Sequence, residues 1–95
     1  MSVIEQLASL VERLYKETAG YIDNPADAQI WYNRGYANGV ARFLSDRGYK
    51  QALQKIPLDD LNIHSKEQIM AWHKAYHHGF EMGARESSEV LPAVS

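Results

Sequence analysis

Apolar residues in the first part of the chain recur at helical spacing. Ile4, Leu7, Val11 and Leu14 form a stripe that Leu10 widens, while Glu5, Glu12, Arg13, Lys16 and Glu17 fill the other face. This is the pattern of an amphipathic helix that buries one side against a partner. Ser2 and Glu5 have the spacing of a capping box, in which serine and glutamate satisfy free backbone N–H groups at a helix start. Gly20 suits the stop, because glycine accepts the left-handed conformation that ends many helices. The first helix is expected over about 3–19.

Asn24-Pro25 reads as a restart, with Asn as cap and Pro in the first helical position, and Gly48 as the next stop. The second helix is expected over about 25–47. On it Ala28, Tyr32, Gly35, Tyr36, Gly39 and Phe43 share one face. Ile30, Ala37, Val40, Ala41 and Leu44 form a second apolar face, and Asp27, Arg34 and Asn38 share the polar strip that remains. A helix with two apolar faces is contacted from two sides, which places it at the centre of a bundle.

A short connector helix is expected over about 49–56, with Ala52, Leu53 and Ile56 inward, before Pro57 breaks it. Asp59-Asp60 reads as turn chemistry. Ser65-Lys66-Glu67-Gln68 is a second capping box, opening a last helix over about 66–86. Its buried stripe is Ile69, Trp72, Tyr76, Gly79, Phe80 and Gly83; His73 lies at the stripe's edge, and His77, His78 and Glu81 point away. Residues 87–95 lack a capped periodic pattern and read as a flexible tail, so the single domain is 1–86. No stretch alternates as a strand does. The expected fold is therefore all-α, a small bundle of three main helices and a short connector helix.

One pattern occurs twice. Tyr32-Asn33-Arg34-Gly35-Tyr36-Ala37-Asn38-Gly39 returns as Tyr76-His77-His78-Gly79-Phe80-Glu81-Met82-Gly83, both copies reading Tyr-x-x-Gly-aromatic-x-x-Gly. Glycine inside a helix costs about 1 kcal/mol relative to alanine, so these positions need a compensating gain. Two glycines one turn apart let another backbone approach closely. The expected use is a seam between the second and last helices, formed by Gly35, Gly39, Gly79 and Gly83 and closed by Tyr32, Tyr36, Tyr76 and Phe80. The alternative is a groove for a partner.

Arg34-Gly35-Tyr36-Ala37-Asn38-Gly39, followed by Trp72 and Gly79-Phe80-Glu81-Met82-Gly83, resembles the pattern of ribosome modulation factor. That small helical bacterial protein has an Arg-Gly-Tyr-x-x-Gly helix and then a Trp/Gly-rich helix, and it binds the ribosome. The resemblance covers roughly half of the chain and implies a similar helix pair and ribosome association. The chain departs from the pattern in its added N-terminal helix, longer connector, absence of cysteine and mildly acidic composition.

Charge and chemistry narrow the reading further. A net charge of −2 gives no general pull toward nucleic acid or anionic lipid. Arg34, Arg42, Arg47, Lys50 and Lys55 nevertheless face only Asp46 over one segment, and with Tyr36 and Tyr49 nearby they could meet RNA phosphates and bases. His73, His77 and Glu81 fall in one helical row, a two-point metal site without a defined third ligand. No cofactor is expected. No nucleophile turn, phosphate loop or general acid–base pair stands out, so an enzyme is not expected. The absence of cysteine, of a signal-peptide pattern and of a long apolar run fits a cytoplasmic protein with no membrane association.

The expected function is that of a non-enzymatic regulatory or accessory protein that binds a macromolecular partner, a protein, through helical surfaces. The expected contact residues are Trp31, Arg34, Arg42, Arg47, Tyr49 and Lys50. RNA or ribosome binding through the segment from Arg34 to Lys55 is the alternative, and a homodimer through the first helix is a second one.

Overall fold

A computed structural model describes residues 2–59 and 70–91. The fold is all-α: helix α1 (Val3–Glu17), a 3-10 turn at Tyr21–Asp23, helix α2 (Ala28–Asp46), a 3-10 turn at Lys50–Leu53, and helix α3 (Ala71–Val90). Among the described residues there is no strand.

The start of α1 follows from Ser2. Its hydroxyl accepts from the Glu5 N–H at 3.1 Å and donates to the Glu5 carboxylate at 3.3 Å. Leu7, Val11 and Tyr15 are its buried residues. The helix ends at Glu17, where the Thr18 N–H and hydroxyl both bond to the Leu14 carbonyl at 2.9 and 2.6 Å. Gly20 follows with φ of +77°.

Helix α2 begins three residues later than Pro25, a correction to the expected restart. Asp27 is the cap, its carboxylate accepting from the Ile30 N–H at 3.2 Å. Asn24 is engaged elsewhere: its side chain donates to the Gly20 carbonyl at 3.0 Å, and its own carbonyl accepts from the Trp31 indole at 3.0 Å. At the other end, the Tyr49 N–H reaches the Leu44 carbonyl and the Gly48 N–H reaches the Ser45 carbonyl, with Gly48 at φ +85°. That paired closure is the Schellman motif, and it needs a left-handed residue. The expected connector helix shortens to the single 3-10 turn.

Helices α2 and α3 run parallel. A Cβ built on Gly35 would fall on the Tyr76 carbonyl, and one on Gly39 would fall on the Phe80 carbonyl. A Cβ on Gly79 would meet the Tyr32 carbonyl, and one on Gly83 the Tyr36 carbonyl. The pairs advance together along both helices, and each relation in one helix has its counterpart in the other. The two copies of the repeat thus pack on each other with a local two-fold relation. Backbone-to-backbone approach of this kind brings Cα–H groups onto carbonyl oxygens, a weak but recurrent helix–helix contact.

Two apolar clusters flank α2. Leu7, Val11, Val40, Ala41, Leu44, Leu53 and Ile56 belong to the first, between α1, α2 and the second 3-10 turn. Tyr21, Trp31 and Tyr76 form the second, with Ile30, Trp72, Ala75 and Phe80 packed against it. Helix α3 continues past residue 86, against the expected tail from 87: Ser87 is buried, its hydroxyl donating to the Gly83 carbonyl at 2.7 Å, and Leu91 packs on the first cluster. The expected caps at Ser65–Gln68, the helical start at 66, Ile69, and tail residues 92–95 lie outside the described residues. Among the described residues no helix is long and apolar enough to cross a membrane.

Candidate functional site

Between the two apolar clusters lies a polar centre. Arg34 and Asn38 stand one turn apart on α2 and are both buried. The Asn38 amide donates to the Tyr76 hydroxyl at 2.6 Å and to Asp59 Oδ2 at 3.1 Å, and its oxygen accepts from the Tyr15 hydroxyl. The Tyr15 oxygen in turn accepts from the Asp59 N–H at 2.9 Å. Tyr21 donates its hydroxyl to Asp59 Oδ2 at 3.2 Å, and Arg34 Nη1 approaches the same oxygen at 3.7 Å. Every polar atom of the Asn38 side chain therefore has a partner, which the burial of an amide requires.

Arg34 is held differently. Its guanidinium lies 3.9 Å from the Tyr15 ring centroid and 4.5 Å from that of Tyr21. Nη2 donates to the Thr18 carbonyl at 3.4 Å, whereas Nε and Nη1 have no hydrogen-bond acceptor. The charge is stabilised by two aromatic faces and one nearby carboxylate rather than by a full set of hydrogen bonds. The surrounding phenols lose acidity. Burial pushes the Tyr76 hydroxyl up to about 12, and burial together with the Asp59 charge raises Tyr21 as well. Tyr15 is also raised, by burial first. A second tyrosine clamp lies at the far end of the seam, where Tyr36 donates to Glu86 and is raised by burial and by that carboxylate.

This centre corrects two of the expected contact residues. Trp31 is only 3% exposed. Its ring sits edge-on to Tyr21 at 4.7 Å and against Trp72 at 4.3 Å, because the 3-10 turn after α1 covers a third side of α2. Arg34 is 7% exposed and faces the centre, not solvent. The others stay near the surface. Arg42 is half-buried and pairs with Asp46 at 3.4 Å; Arg47 is exposed and lies over the Phe43 ring at 4.7 Å; Tyr49 and Lys50 are exposed.

The histidine row is divided between the interior and the surface. His73 is fully buried, not at an edge, with its ring edge-on to Trp72 at 5.1 Å and to His77 at 4.6 Å. His77, His78 and Glu81 line a separate shallow depression with Lys74. Among the described residues no group of three or more metal-ligating side chains stands together. His64 and Asp60 lie outside the described residues.

Asp59 reads as turn chemistry and Asn38 as part of a polar strip, and neither Tyr15 nor Tyr21 is singled out by pattern. Tyr15 had a signal, since it lies four residues after Val11 on the stripe of α1. Asn38 and Asp59 had none, because a polar strip and an acidic turn look solvated in isolation.

No family model matches the chain, and no significantly similar curated protein or solved structure was found. The resemblance to ribosome modulation factor rests on the motif residues alone.

Proposed function

We propose that this is a non-enzymatic accessory protein that binds a protein partner through the corner at the C-terminal end of α2. The observation that supports this reading is Tyr49, which is 38% exposed on the turn that also exposes Arg47 and Lys50. Tyrosine and arginine are the side chains that most often anchor interfaces, and the two cations favour a partner with an acidic surface. Ten of the nineteen residues of α2 are buried, and the helix serves as the scaffold for this corner. Affinity capture with the wild-type chain and an Arg47→Glu, Lys50→Glu variant tests the reading. Proteins retained by the wild type and lost by the equally folded variant support it, and unchanged retention removes this corner from the interface.

RNA or ribosome binding is the second reading, and Arg47, Lys50 and Lys55 support it as exposed cations on one segment. Arg34 no longer contributes, because it is buried against Asp59. Capture that disappears after ribonuclease treatment, with affinity falling steeply as salt rises, would favour RNA over protein. A homodimer through α1 faces a competing use of the same stripe: Leu7, Val11 and Tyr15 are buried against the rest of the chain. A concentration series in sedimentation would detect such a dimer.

A further inference from the structure

A cleft of about 600 Å³ opens between the end of α1 and the segment leading to Asp59. This volume lies in the range of small-ligand pockets. Its walls are of two kinds. Ala19, Ile56 and Pro57 provide apolar surface, while Arg34, Lys16 and Lys55 provide positive charge.

The charges in the cleft do not balance. The two carboxylates in its lining, Glu12 and Asp59, are both engaged: Glu12 with Lys16 at 3.4 Å, and Asp59 with Tyr21, Asn38 and Arg34. Among the described residues three cations thus face two carboxylates, leaving one positive charge in excess. Lys55 makes no ion pair among the described residues. At the inner wall, the Arg34 side chain is 8% exposed, and its Nε and Nη1 donors have no hydrogen-bond acceptor. Buried donors without acceptors are uncommon and costly in folded proteins, and the side chain that carries them is one of those lining the cleft.

We infer that the cleft is a binding site for a carboxylate that carries an apolar group. The carboxylate is drawn by Lys55 at the mouth and by Arg34 within, and the apolar group rests on Ile56 and Pro57. A single negative charge matches the single excess positive charge, whereas a phosphate would bring surplus negative charge close to Asp59. Two sources share this chemistry: a small free acid and the C-terminal carboxylate of a peptide. The site goes beyond the proposed protein-binding corner and does not rest on it.

Titration of the isotopically labelled full chain, followed by amide and arginine Nε–H resonances, tests the site. Benzoate, inorganic phosphate, and a short apolar peptide with a free or amidated C-terminus are the probes. Saturable shifts at Gly20, Lys55, Ile56 and the Arg34 Nε–H are expected with benzoate or with the free-acid peptide, and which of the two binds more tightly identifies the source. Amidation should weaken the peptide at least about tenfold, the loss expected when a charge-assisted contact of about 1.4 kcal/mol is removed. Lys55→Gln leaves the buried centre intact and should weaken binding several-fold. The proposal is overturned if neither carboxylate shifts these resonances saturably, if the amidated peptide binds equally well, if phosphate binds more tightly than benzoate, or if Lys55→Gln leaves affinity unchanged.

Discussion

Helix α2 meets its neighbours in two different ways. Toward α3 the contact is backbone on backbone, with the glycines of each helix lying against carbonyls of the other. Toward α1 and the segment ending at Asp59 the contact mixes apolar packing with a buried hydrogen-bonded centre, in which Arg34 and Asn38 replace the glycines. The seam gains from closeness and tolerates no added atoms. The polar centre gains from the satisfied Asn38 amide and from the charge pairing of Arg34, and tolerates no lost partner. One side should therefore fail by overpacking and the other by leaving charge and amide groups unpaired.

The largest effect is expected at the seam. Gly35→Leu or Gly79→Leu should destabilise the fold by more than about 3 kcal/mol in urea unfolding, since the obstructing atoms are backbone and cannot rotate away. Gly35→Ala is the sharper test. By helix propensity alone it should stabilise by about 1 kcal/mol, yet the seam predicts a loss of about 1–3 kcal/mol. A variant as stable as the wild type would show that the seam can relax, and the contrast between the two sides would dissolve.

The polar centre comes next. Asp59→Ala removes the acceptor shared by Tyr21 and Asn38 and the carboxylate beside Arg34, and a loss of about 2–3 kcal/mol is expected, below that of a fully buried pair because the Asp59 side chain is 21% exposed. A loss confined to a few tenths would mean that solvent takes over its role. Alkaline pH should also act on this side. The Tyr76 hydroxyl is raised from 10.0 to about 12, so the folded chain keeps a proton that the unfolded chain releases. That contribution is fully present below about pH 10 and is lost as pH rises toward about 12. Thermal melts across this window, read with phenolate absorbance, should show stability falling with pH, and Tyr76→Phe should flatten the slope. The smallest effect belongs to the surface: Arg42→Ala breaks a solvent-accessible pair with Asp46 and should change stability by less than about 0.5 kcal/mol.

The helices themselves were legible in the chain. The stripe from Ile4 to Leu14, the cap at Ser2 and the stop at Gly48 are local signals, written in residues that interact within one or two turns, whereas α1 closes on Thr18, ahead of the expected stop at Gly20. The repeated glycine pattern was legible too, because a glycine placed inside a helix is costly unless something approaches it. Boundaries were less so: Asn24-Pro25 offered a credible start to α2, but Asn24 was drawn to the Gly20 carbonyl and Asp27 became the cap.

The sequence by itself determined an all-α chain with a central second helix. Periodicity reports which face of a helix is apolar, and helix ends report their own caps. Only the tertiary structure decided that α2 and α3 run parallel, that Trp31 and Arg34 face inward, and that Asp59 completes a buried centre with Asn38. Arg34 on a wheel is a charge on a polar strip, and Asp59 is an acid after a proline. Their meaning arises when Tyr15, Tyr21 and Asp59 arrive from other parts of the chain and remove water from both. Burial of a charge depends on partners distant in sequence, and no local pattern records which distant residues will arrive.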